Sequence, residues 1–154
     1  MTFDPAAHQM LPTRAFDDFR IGEQFRAPSR TLTEGHFDAF RTASGDNHPI
    51  HYDRHYLQRL GHRDLYAHGL LTWMQAAIGA CPLAHEMGEA LIGFLEQSSR
   101  FLKPVYCGDT LYVTFTITAL DRGRSTGVMR LMVTIHNQDA VLVADGMQAY
   151  LMRL

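Results

Sequence analysis

The stretch Gly69 to Cys81, GLLTWMQAAIGAC, places apolar side chains on nearly every face of a helix. Leu70, Met74 and Ile78 fall on one side, and Leu71, Trp73, Ala76, Ala77 and Ala80 on others. A helix with so little polar surface must be buried on most sides, with Trp73 and Met74 in the core. The uncharged run extends to Ala84 but is interrupted by Thr72, Gln75 and Pro82. It falls short of the ~20 apolar residues that cross a bilayer. The protein is therefore expected to be soluble, with the rest of the chain supplying the cover. Pro82 is expected to kink or end the helix.

The cover is legible after Met87. Leu91 to Lys103, Asp109 to Leu120, Ser125 to Gln138 and Val141 to Met152 are strand-like. In the second, Leu111, Val113, Phe115 and Ile117 alternate with Tyr112, Thr114, Thr116 and Thr118, so one face is buried. Turn residues Arg122-Gly123-Arg124 and Asn137-Gln138-Asp139 predict consecutive hairpins in an antiparallel sheet. Asp109 is expected in a turn. Upstream, Phe25 to Leu32 is expected to be extended. Thr33 should cap a helix that buries Phe37 and Phe40 and ends near Gly45, and Asp53 to Leu60 should form another short helix closed by Gly61. The class is α+β, one domain over 1–154.

Composition narrows the partners. The 154 residues suffice for one core, and 46% hydrophobic against 19% charged argues for a chain folded throughout. A net charge of -2 without a basic run argues against nucleic acid. Cys81 and Cys107, far apart among apolar neighbours, are expected to be buried free thiols in a reducing, cytoplasmic setting. Met1 to Arg14 carries no pattern of a secretory leader.

The chemistry gathers between Ser44 and Tyr52, where Gly, Asp, Asn and Pro crowd together and favour a structured loop. Asp46 and His51 lie at its two ends, and Pro49 restricts the backbone between them. Addition of water to a conjugated thioester needs a base for the water, an acid for the α-carbon and donors for the enolate oxygen. A carboxylate and an imidazole meet the first two needs. Free backbone N–H groups where the buried helix begins, at Ala67-His68-Gly69-Leu70, would meet the third. With 9 His in the chain, a structural or solvent-exposed role for this pair stays open on spacing alone. A metal site built from Asp46, His48, His51, Asp53 and His55 is also conceivable, but no HExxH or Cys pair supports one, and none is expected. His68 reads more readily as a positioning residue than as a catalytic one. At Arg100, Lys103 and Arg130 a solvated charge competes with contact to coenzyme A phosphates, and His36, His62 and His85 give no signal beyond surface histidine.

The segment Asp46-Asn47-His48-Pro49-Ile50-His51, flanked by Ser44-Gly45 and Tyr52-Asp53, resembles the signature loop of MaoC-like dehydratases and R-specific enoyl-CoA hydratases. Ala67-His68-Gly69-Leu70 resembles the start of their central helix. Phe101-Leu102-Lys103-Pro104-Val105 and Gly108-Asp109-Thr110-Leu111 resemble the beginning of one of their strands. The resemblance implies a hot-dog fold, an antiparallel sheet wrapped around a long central helix, with two such units paired through their sheets into a homodimer or a higher homo-oligomer. It implies that Asp46 and His51 hold the catalytic water and that the Gly69 N–H binds the thioester oxygen, with His68, His48 and Leu70 as further substrate-binding positions. It also implies syn addition giving R-3-hydroxyacyl products on coenzyme A or acyl carrier protein. Coenzyme A is then part of the substrate, and no cofactor is expected. One departure stands out: the family's Asn two residues after the Asp is His48 in this chain, with Asn47 before it. Two other functions stay open, a hot-dog thioesterase and a non-catalytic acyl-thioester-binding subunit.

Overall fold

In the computed structural model, residues 3–154 are described, so Met1 and Thr2 of the N-terminal segment lie outside it. The strands are β1 (Gln24–Arg26), β2 (Arg30–Thr31), β3 (Leu91–Phe101), β4 (Thr110–Arg122), β5 (Thr126–His136) and β6 (Leu142–Arg153). The helices are α1 (Glu34–Ser44), α2 (Arg54–Arg59), α3 (Gly69–Trp73) and α4 (Pro82–Met87). All strand pairings are antiparallel, in the order β1-β4-β5-β6-β3, with β2 also on β4. The alternation in β4 and β5 does what period two requires: Leu111, Val113, Phe115 and Ile117, with Met129, Leu131, Val133 and Ile135, are all buried on one face. Each such side chain contributes about 1.5–3 kcal/mol by leaving water. The α3–α4 segment lies against this face in one continuous core, an α+β hot-dog arrangement.

The central segment departs from the single helix expected over 69–81. Its α-helix stops after Trp73 and continues as short 3-10 turns at Met74–Ala76 and Ile78–Ala80 before α4. Ala77 is extended, with φ -70° and ψ 119°, and so is Cys81, which precedes Pro82 and is sterically pushed out of the helical region. Pro82 thus opens α4 rather than ending a helix. The break orphans carbonyls, and buried amides from the sheet and the segment itself satisfy them. Gln148 Nε2 donates to Ala76 O at 2.9 Å, the Tyr150 hydroxyl holds Gln148 Oε1 at 3.0 Å, and Gln75 Nε2 donates to Leu71 O at 3.0 Å. Trp73 is core, as expected, but Met74 is 55% exposed and shares an uncovered stripe with Leu70.

The strand order also corrects the expectation of consecutive hairpins. β4, β5 and β6 follow it, whereas β3 pairs with β6. The link from β3 to β4 is not a turn: Val105 O accepts from Ala67 N–H at 2.8 Å, and Cys107 N–H donates to Leu65 O at 3.0 Å. That link crosses to the start of α3, so β3 cannot fold back on β4. Asp109 closes the turn that begins at Tyr106, as expected, its N–H donating to Tyr106 O at 3.0 Å, and it is also a buried hub. Its carboxylate accepts from Tyr106 N–H at 2.8 Å, Gln138 Nε2 at 3.0 Å and the Arg63 guanidinium. Cys81 is buried and Cys107 half-buried, both free. No helix among the described residues is long and apolar enough to cross a membrane.

Gly146 in β6 sits where Trp73 meets the sheet, and a Cβ there would fall 2.7 Å from the Trp73 ring and closer still to Ser98 O. Gly146→Ala should cost about 1–3 kcal/mol by overpacking, read as a lower urea midpoint with an unchanged m-value. An unchanged midpoint would show that the Trp73 contact is loose.

Candidate active site

The loop begins where α1 ends. Gly45 takes the left-handed conformation, φ 75°, and its N–H donates to Arg41 O at 2.9 Å. Ser44 Oγ donates to Phe40 O at 2.7 Å and accepts from Asp46 N–H at 3.1 Å, so Asp46 is tied to the helix it follows. His48, Pro49, Ile50 and His51 then make a 3-10 turn. His48 Nδ1 accepts from Ile50 N–H at 3.3 Å, and Pro49 opens the turn with its fixed φ. Asp53 caps α2 by accepting from Tyr56 N–H at 2.9 Å. The turn and the α2 cap together point the His51 ring inward, where it is 9% exposed.

Three side chains meet. A carboxylate oxygen of Asp46 and one ring nitrogen each of His51 and His68 lie within 4.8 Å of one another. The His51 and His68 rings stack, centroids 3.5 Å apart at 20°, and Phe40 packs against His68 at 4.6 Å. Backbone carbonyls only accept, so they assign both tautomers. His51 Nδ1–H donates to Tyr66 O at 2.6 Å, which leaves its Nε2 a free lone pair when the ring is neutral. His68 Nε2–H donates to Asp46 O at 3.1 Å, and its Nδ1 is buried without a hydrogen-bond partner among the described residues. Burial holds the His68 imidazole below the usual histidine range, against the upward pull of the Asp46 carbonyl, and the neighbouring His51 lowers it further. A water hydrogen-bonded to two acceptors spans roughly 4.5 Å between them, so one water can bridge Asp46 and His51.

Gly69 follows His68 and starts α3. The first bond of that helix runs from Thr72 N–H to His68 O at 3.0 Å, so the Gly69, Leu70 and Leu71 N–H groups stand outside its ladder. The Phe101 ring covers Gly69, and a Cβ at that position would come within 3.1 Å of it. Leu70 is 59% exposed beside it.

Of the residues proposed from sequence, Asp46, His51, His68, Gly69 and Leu70 are therefore neighbours. His48 is exposed and turned to its own cap and to the edge of Tyr56, so it stands apart from the trio. Of the five side chains considered as metal ligands, only Asp46 and His51 come together; the third member of the trio is His68, and by distance these three could also hold a divalent ion. Arg100 pairs with Asp145 and Arg130 with Asp121, while Lys103 is exposed. His36 accepts from Thr33 N–H at 3.0 Å and so helps cap α1. The Tyr66 carbonyl that sets His51 carries no sequence signal, because it acts through the backbone. Ser44 was signalled by its place at the start of the loop and beside the signature, though not its bonds to Phe40 and Asp46.

A family model described as a MaoC like domain matches residues 18–138. An (R)-specific enoyl-CoA hydratase from Rhodospirillum rubrum is 31% identical over 107 residues, 68% of this chain and 70% of that protein. Two solved structures share the fold. An (R)-hydratase from A. caviae involved in PHA biosynthesis aligns with TM-score 0.74 and 25% identity over 86% of this chain and 96% of its own. A monoamine oxidase regulatory protein from an Archaeoglobus species aligns with TM-score 0.83 and 24% identity over 95% and 98%.

The lowered His68 pKa makes a prediction about stability. Between the folded value and the ordinary one near 6.5, the unfolded chain binds more protons, so stability is lost as pH falls below about 6.5. The difference in unfolding free energy between the wild-type protein and His68→Gln should therefore shrink from pH 7.5 towards pH 5. A difference that stays constant would place His68 in a solvated environment.

Proposed function

The chain belongs to the MaoC-like domain family, and on that footing we propose that it adds water to, or removes it from, the double bond of an enoyl thioester. The observation that carries this reading is an Asp46 carboxylate oxygen and a His51 ring nitrogen within 4.8 Å of each other and of His68, whose successor Gly69 has its N–H outside the α3 ladder. A water between them loses a proton to the pair as its oxygen bonds to the β-carbon. The electrons of the double bond move to the thioester oxygen, where the Gly69 N–H stabilises the enolate. The pair then returns the proton to the α-carbon on the same face, giving the R-3-hydroxyacyl thioester, and dehydration is the reverse. His51 suits the task because Tyr66 O holds its Nδ1–H and leaves Nε2 to accept.

Coenzyme A is in this reading the handle of the substrate, with acyl carrier protein as an alternative carrier, and no cofactor takes part. The cytoplasm, where such thioesters circulate, is the proposed location. The proposed partner is a second copy of the chain. β3 is an edge strand with Ile92, Phe94, Leu95 and Phe101 each about half exposed, next to the Leu70 and Met74 stripe of the central segment. An edge of this kind pairs with its own equivalent through backbone bonds and buries both stripes.

Mixing the protein with crotonyl-CoA should lower the conjugated enoyl absorbance without releasing thiol, and a chelator should leave the rate unchanged. Asp46→Asn and His51→Ala should each cost about 10²- to 10⁴-fold in kcat with the fold intact by circular dichroism. Thiol release dependent on Asp46 would make the protein a thioesterase, and wild-type turnover in both variants would remove the pair from catalysis. Sedimentation should give a dimer that Phe94→Glu shifts towards monomer; a monomeric wild-type protein would refute the paired edge.

A further inference from the structure

One arginine on α1 reaches both halves of the loop. Arg41 Nη1 donates to Asn47 Oδ1 at 3.2 Å, and its guanidinium carbon lies 4.9 Å from the centroid of the Tyr52 ring. Asn47 directly follows Asp46, and Tyr52 directly follows His51. A single rigid, planar cation is therefore braced against the neighbours of both proposed acid/base residues. Its Nη2 is anchored on its own helix by Asp38 at 2.5 Å, and its backbone carbonyl receives the Gly45 N–H from which the loop departs. The guanidinium is held in place at a cost: Arg41 Nε is buried with no hydrogen-bond partner among the described residues. An arginine free to turn outward would hydrate that group rather than leave it bare.

The other side chains of the loop act locally. Ser44 ties Asp46 to Phe40, His48 caps Ile50, and Asp53 caps α2. None of these bonds joins the Asp46 half to the His51 half. The position at which this chain departs from the family pattern, His48, is engaged in its own turn, while the adjacent Asn47 is the one Arg41 holds.

We propose that Arg41 is a positioning residue of the acid/base pair, bracing Asp46 relative to His51 by gripping Asn47 on one side and Tyr52 on the other, while His68 links the pair from the core side. The effect on turnover rests on the hydratase reading, whereas the effect on the loop does not. A misplacement of reacting groups by about 1 Å can cost up to about 10²-fold in rate, so the brace should appear in kcat rather than in KM.

The test compares the wild-type protein with Arg41→Ala, Asn47→Ala and the double variant, using crotonyl-CoA kinetics and backbone amide NMR. Arg41→Ala should lower kcat by about tenfold or more with KM within about twofold. Adding Asn47→Ala to it should cost less than Asn47→Ala costs alone, because the two share one contact. The amide signals of residues 45–52 should shift or broaden while those of β4 to β6 stay in place. Wild-type kcat with unchanged loop signals would overturn the proposal, and so would additive losses accompanied by shifts throughout the sheet. If Arg41→Ala does not fold, Asn47→Ala and Tyr52→Leu decide: a kcat loss at constant KM supports the brace, and wild-type kcat in both refutes it. If the unaltered protein hydrates no enoyl thioester, the hydratase reading fails, and the loop signals of these variants still decide for or against Arg41.

Discussion

Burial of the segment that begins at Gly69 against the inner face of the sheet is the constraint on which the other features depend. The sheet supplies Leu111, Phe115, Leu131 and Val133, and the segment supplies Leu71, Trp73, Leu83 and Met87, all buried. Once the segment lies there, its N-terminal end must emerge at one edge of the core, and the loop after α1 packs onto that end through His68. Position follows from packing, and chemistry follows from position. The half-buried site arises because Asp46 faces solvent while His51 and His68 face the core.

His68 joins the scaffold to the chemistry. It precedes Gly69, stacks on His51, and donates to the backbone carbonyl of Asp46 rather than to its carboxylate. The carboxylate thus keeps both oxygens for a water, while its backbone is fixed. The arrangement buries an imidazole nitrogen without a partner, which costs stability and lowers the basicity of the ring. In the proposed reaction, a His68 whose basicity is lowered by burial adds no second positive charge beside the pair that receives the proton. Residues around a site bear such costs when geometry matters more than stability.

Much of this was legible before any coordinates. Alternation in β4 identified its buried face, Thr33 and Gly45 bounded α1, and the signature loop with Ala67-His68-Gly69-Leu70 brought together the residues that the fold makes neighbours. Three features were hidden for physical reasons. The break at Ala77 depends on Gln148, more than seventy residues away, donating to the freed Ala76 carbonyl while the Tyr150 hydroxyl holds the Gln148 side chain. The pairing of β3 with β6 depends on where a link of irregular backbone docks, and hydrophobic period does not report that. The tautomer of His51 depends on the Tyr66 carbonyl, which any residue at that position would provide. Met74 was misplaced because its apolar character was read as a demand for cover within the same chain.

In the proposed reaction Asp46 and His51 act together on the β-carbon of a thioester whose oxygen rests on Gly69. A crystal structure of Asp46→Asn with crotonyl-CoA bound tests it most directly, because the amide preserves the shape of the site while slowing turnover. The thioester oxygen is expected at about 3 Å from the Gly69 N–H, with the β-carbon facing position 46 and His51. A thioester carbonyl carbon, rather than the β-carbon, presented to position 46, or an acyl group bound away from Gly69, would contradict it.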